Sequence, residues 1–87
     1  SIASFQVGLA TLYLDQDDYK SAEPILKRAL ALEEKILEAD HPSIARTLDA
    51  YARLLRATNR PNEADAMELR AKEVLRRHAA AESKGDE

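Results

Sequence analysis

The feature that most constrains this chain is an internal repeat. Sliding the 87-residue sequence against itself by 42 positions lays Ser1-Ile2-Ala3 on Ser43-Ile44-Ala45 and continues without a gap. The same shift pairs Ala10 with Ala52, Leu12 with Leu54, Ala22 with Ala64, Arg28 with Arg70 and Ala29 with Ala71. Tyr13 meets Leu55, Asp17 meets Asn59 and Ile25 meets Met67. A period between about 20 and 50 residues marks one supersecondary unit stacked on a copy of itself, each burying a face the other cannot bury alone. The superposed alanines fall where two helices have to approach closely, since a larger side chain there would force them apart.

Each repeat reads as two helices. In the first helix Ile2, Phe5, Leu9, Leu12, Tyr13 and Gln16 follow three-four spacing. It ends in Asp15-Gln16-Asp17-Asp18, a turn in which Asp tolerates a left-handed backbone and caps the next helix. The second helix is expected over Tyr19 to Glu38, with Pro24 accommodated early in it. Asp40-His41-Pro42 is a break that supplies a cap, Asp40 or His41, and a proline at a helix start. A third helix over 42–58 carries Ile44, Leu48, Tyr51, Ala52 and Leu55 on one face. Asn59-Arg60-Pro61 is the second turn, and the fourth helix is expected from Pro61 to Ala80, followed by a polar, frayed tail over 82–87. Helix-forming Ala, Leu, Glu, Lys and Arg dominate, and β-branched residues are too scarce for a sheet. The fold class is therefore all-α.

Charge and composition exclude several function classes. Residues 1–40 hold four basic and eight acidic side chains, and 41–87 hold nine basic and eight acidic. Neither half has the Lys/Arg excess of a nucleic-acid surface, and four aromatics make no stacking platform. With no cysteine there is no disulfide framework or thiolate chemistry, which suits a reducing, cytoplasmic setting. No apolar run approaches a membrane span, and no signal peptide is visible. The missing initiator Met points to a fragment or a processed form.

Two segments carry a family resemblance. Leu9-Ala10-Thr11-Leu12-Tyr13 resembles the first-helix motif of tetratricopeptide repeats. Tyr19-Lys20-Ser21-Ala22-Glu23-Pro24, followed by Lys27-Arg28-Ala29-Leu30, resembles the second-helix motif. The Asp-His-Pro break and the 42-residue period are similar to the longer subtype found in kinesin light chains and many bacterial repeat proteins. The second repeat is degenerate. Pro61 stands where Tyr19 opens the second helix, Glu68 replaces Leu26, and the usual turn glycine is Asp17 or Asn59. The resemblance implies a right-handed α-solenoid segment with one repeat over 1–40 and a second, capping repeat over 41–81.

It also implies a protein–protein interaction scaffold without catalysis or cofactor, whose first helices line a concave groove. Those stripes are Ser4, Val7, Thr11 and Leu14 in the first helix and Arg46, Asp49, Arg53 and Arg56 in the third. Arginine forks suit carboxylates, so an acidic or carboxylate-bearing peptide is the expected partner, against the bland alternative that Asp49 merely pairs with Arg53 on a solvated face. The fourth helix keeps a narrow apolar stripe of Ala64, Met67, Ala71, Val74 and Leu75, as suits a terminal helix. The alternative function is structural: capping a longer array, or self-association through the first helix.

No other constellation survives inspection. A calcium loop starting at Asp15 would need glycine at Lys20 and glutamate at Leu26. His41 and His78 lack partner ligands; the first reads as a cap and the second as a last-turn residue favoured by the helix dipole. Glu33-Glu34 and Glu38 with Lys35 read as a solvated face, not a catalytic pair.

Overall fold

The computed structural model describes residues 2–85; Ser1, Asp86 and Glu87 lie outside the described residues. Four helices follow one another: α1 (Ile2–Asp15), α2 (Tyr19–Ile36), α3 (Pro42–Ala57) and α4 (Pro61–Gly85). No strand occurs among the described residues.

Short turns fold α1 onto α2 and α3 onto α4, and the two turns match atom for atom under the 42-residue shift. Asp18 N donates to Tyr13 O at 2.8 Å, and Arg60 N donates to Leu55 O at 2.8 Å. Asp17 N reaches Leu14 O at 3.0 Å, and Asn59 N reaches Arg56 O at 3.3 Å. This crossed pair is the Schellman closure, which satisfies orphan helix carbonyls and needs a left-handed residue at its second-last position. Asp17 and Asn59 fill it at φ 59° and 61°.

Starts are capped as the residue types require. Asp18 Oδ1 accepts from Ser21 N at 3.3 Å, and His41 Nδ1 accepts from Ser43 N at 3.1 Å. His41, not Asp40, therefore caps α3, with Pro42 at the first helical position. Pro24 sits on the exposed side of α2, so the helix loses one bond without burying the freed carbonyl.

Two ends differ from expectation. α2 stops at Ile36, because Leu37 turns extended at φ −109° and ψ 160°. α4 continues through Gly85 instead of ending near Ala80, since Ala79 to Lys84 contains no breaker. His78 is consequently interior to α4, with its Nε2 2.9 Å from Glu82 Oε1 one turn on, not a last-turn residue.

The alanines make the crossings. Ala10, Ala22, Ala52 and Ala64 share one buried cluster with Leu14, Leu26, Leu54 and Leu55. Ala45 and Ala71 share another with Leu30, Ile44 and Leu48. Each fully buried leucine contributes roughly 1.5–3 kcal/mol. α2 lies against both α1 and α3, so its buried face is wide: Ala22, Leu26, Ala29, Leu30 and Glu33. Among the described residues no helix covers the other side of α1. It buries Ala3, Ala10 and Leu14, while Ile2 and Phe5 remain 71% exposed and Leu12 53%. At the matching positions of α3, Ile44, Thr47 and Leu54 are 0–3% exposed, because α2 covers them.

One sequence reading is overturned. Glu33 does not belong to a solvated face: it is 2% exposed. It lies one turn beyond Ala29 and two beyond Leu26 on the contact stripe, where the Thr47 hydroxyl of α3 donates to its Oε1.

Candidate functional site

The two groove stripes are carried by α1 and α3, which touch each other edge to edge beside α2. The eight residues divide into separate groups. Ser4 and Val7 of α1 and Arg46 of α3 border a small recess of about 60 Å³, with Glu33, Ser43 and Thr47. Asp49, Arg53 and Arg56 border a second, open depression of about 480 Å³ whose far wall is Glu68, Ala71, Lys72 and Leu75 of α4. Thr11 borders neither; its hydroxyl donates to Val7 O at 2.9 Å within its own helix. Leu14 is 1% exposed and belongs to the core between α1 and α2.

The arginines differ in their commitments. Arg53 Nη2 lies 2.9 Å from Asp15 Oδ1, tying the end of α1 to α3. Asp49, the partner that spacing suggests, is not its ion-pair partner. Arg56 Nη2 reaches Asp65 Oδ1 at 2.6 Å and Glu68 Oε1 at 2.7 Å. The hydrogen bonds to Asp65, then those to Glu68, raise the Arg56 pKa above its ordinary value. These pairs are exposed, so each is a weak and salt-sensitive restraint. Arg46 is exposed and forms no ion pair among the described residues.

Behind the groove a polar bridge fixes the hairpins against each other. Arg60 Nη1 and Nη2 donate to Glu23 Oε2 and Oε1 at 3.0 and 2.9 Å, a two-pronged contact from the second turn to α2. Tyr51 Oη donates to the same carboxylate at 3.4 Å. The Arg60 hydrogen bonds hold the Glu23 carboxyl below the usual carboxylate range, against the opposing push of burial. Burial is also the main reason the Tyr51 hydroxyl is raised. Sequence reasoning misses this bridge, because nothing in the spacing relates Glu23 to a turn 37 residues on.

Among the described residues no group of three His, Cys, Asp or Glu side chains is placed to hold a metal ion. No helix among them is long and apolar enough to cross a membrane.

Antiparallel helical hairpins stacked at a fixed period, with small residues at the crossings, define a helical-repeat protein of the α-solenoid class. Residues 1–77 match the tetratricopeptide repeat family. The chain belongs to that family, whose repeats are protein–protein interaction modules. Comparison with curated proteins and with solved structures gives no match.

Proposed function

We propose that the α1–α3 face binds a peptide or protein segment bearing carboxylates and carries out no covalent chemistry. The observation behind this reading is the row of Arg46, Arg53 and Arg56 on one side of α3, with depressions at both ends of the row. Arg53 and Arg56 already hold carboxylates of this chain, so an acidic ligand exchanges one partner for another, while Arg46 gains a new one. The 42-residue period and the Asp-His-Pro break support placement in the kinesin-light-chain-like subtype. In this reading repeat 1 spans 1–40, repeat 2 spans 41–81 as a cap followed by the tail 82–87, and the setting is cytoplasmic.

The test is fluorescence anisotropy with a labelled peptide of alternating aspartate and alanine. Binding that weakens with salt and with Arg46→Ala or Arg53→Ala supports the proposal. Equal affinity in the triple variant lacking Arg46, Arg53 and Arg56 refutes it.

A second reading rests on a separate observation, the exposed apolar side chains Ile2, Phe5 and Leu12 of α1. Their counterparts on α3 are covered by a helix, whereas the matching outer positions of α4 include Glu68 and Lys72. On this reading the chain caps a stack of repeats or self-associates through α1. Sedimentation of Phe5→Glu against the parent chain tests it: an unchanged, monomeric pattern for both removes the self-associating form.

A further inference from the structure

A carboxylate taken out of water requires either a cation or several hydrogen-bond donors. Glu33 has little of either. It is 2% exposed, has no ion pair among the described residues, and accepts one hydrogen bond, from Thr47 Oγ1. Even that donor is shared: Thr47 Oγ1 also lies 3.1 Å from Ser43 O, and a hydroxyl has a single proton. A recess of about 60 Å³ is bordered by Ser4, Val7, Glu33, Ser43, Arg46 and Thr47. α1, α2 and α3 each contribute to it, so it exists only in the assembled fold. The one cation on its rim, Arg46, makes no contact with Glu33 within ion-pair distance.

We propose that this recess binds a primary ammonium group, from a lysine side chain or a peptide amino terminus. A water molecule takes up about 30 Å³, so the recess has room for an ammonium head group of similar size. An ammonium offers three donors from one point charge, and the oxygens of Glu33, Ser43 and Thr47 offer acceptors. Glu33, Ser43 and Thr47 fall well short of the roughly six to eight oxygen ligands that a calcium ion takes. The groove then reads both signs of charge along α3. Arg46 on the recess rim and Arg53 are seven residues apart on one face of α3, about 10 Å along the helix, which roughly three extended residues span. That spacing rests on the acidic-ligand reading above; the ammonium site does not.

The experiment is a titration of the full chain with n-butylammonium chloride. It follows the Glu33 carboxyl carbon and the Ser43 and Thr47 amides by NMR, with tetramethylammonium chloride as a cation without N–H donors. Saturable shifts with butylammonium alone are expected, weakened at least about tenfold in Glu33→Gln and strengthened in Arg46→Ala, which removes a competing charge. The side-chain amide in Glu33→Gln keeps an acceptor for Thr47, and a retained amide spectrum verifies the fold of that variant; Thr47→Val, which removes one acceptor but keeps the carboxylate, should weaken binding less than Glu33→Gln does. Acetyl-Gly-Lys-Gly-amide and Gly-Ala-Gly-amide then separate the side-chain source from the terminal one. Shifts that are absent, equal for tetramethylammonium, or unchanged in Glu33→Gln overturn the proposal. Arg53→Ala leaves butylammonium binding intact, so failure of the acidic-ligand reading is seen separately.

Discussion

Leu12 and Leu54 occupy the same place in the two repeats, and the fold treats them oppositely. Leu12 is 53% exposed and Leu54 is 0% exposed. Both are leucines inside helices, so Leu→Ala changes local helix propensity equally, and any difference comes from tertiary neighbours. Leu54→Ala removes three carbons from the core between α2, α3 and α4, about 2.4 kcal/mol of transfer free energy at 0.8 kcal/mol per buried CH₂. The cavity left behind raises the cost to about 3–5 kcal/mol. Leu12→Ala removes the same carbons from a site about half in water, roughly 1 kcal/mol with no closed cavity. Urea unfolding followed by far-UV circular dichroism should therefore separate the variants by about 2 kcal/mol or more, with midpoint temperatures differing by roughly 8–16 °C at about 4–8 °C per kcal/mol. Costs within about 0.5 kcal/mol of each other would refute the assignment of unequal neighbours. Repeating the comparison at two protein concentrations shows whether a second copy covers Leu12.

Three further outcomes follow from the turns, the cap and the polar bridge. Asn59→Gly should stabilise the chain by up to about 1 kcal/mol in thermal unfolding, because glycine adopts positive φ freely; Asp17→Gly should gain less, since Asp17 Oδ1 also accepts from Tyr19 Oη at 3.0 Å. His41→Ala should cost about 0.5–2 kcal/mol by removing the acceptor for Ser43 N, with His41→Asp recovering most of it; equal unfolding midpoints for the two variants would contradict the cap. Glu23 has a folded pKa depressed below the ordinary 4.5, so its contribution is complete above that value and is lost as pH falls through the depressed one. Glu23→Gln should then be less stable than the parent near neutral pH and converge with it in acid, as urea midpoints across that range would report.

The candidate site is legible in the sequence only in part. Three-four spacing finds Arg46, Arg53 and Arg56, and their exposure agrees with a surface row. The same spacing puts Leu14 on that surface, yet Leu14 is buried. In α1 the contact stripe is Ala3, Ala10 and Leu14, not the bulkier Ile2, Phe5 and Leu12. Periodicity identifies that a helix has faces, but cannot say which face receives the neighbour when both carry apolar residues. Here α2 approaches over the alanines, where the backbones come closest. Glu33 is misread for a related reason: beside Glu34 it looks like surface, and only the packing of α3 over it, with Thr47 against its carboxyl, takes it out of solvent.

What the sequence determined by itself was local or periodic: the hairpin count, the left-handed turn residues at Asp17 and Asn59, the proline starts, and the 42-residue register that aligns the crossing alanines. Those follow from backbone preferences and side-chain size, which each short segment carries with it. Tertiary structure decided which apolar stripe is covered, which carboxylate holds each arginine, and where a buried charge meets a recess. These depend on what lies across a helix interface, and spacing along one helix holds no record of its opposite wall.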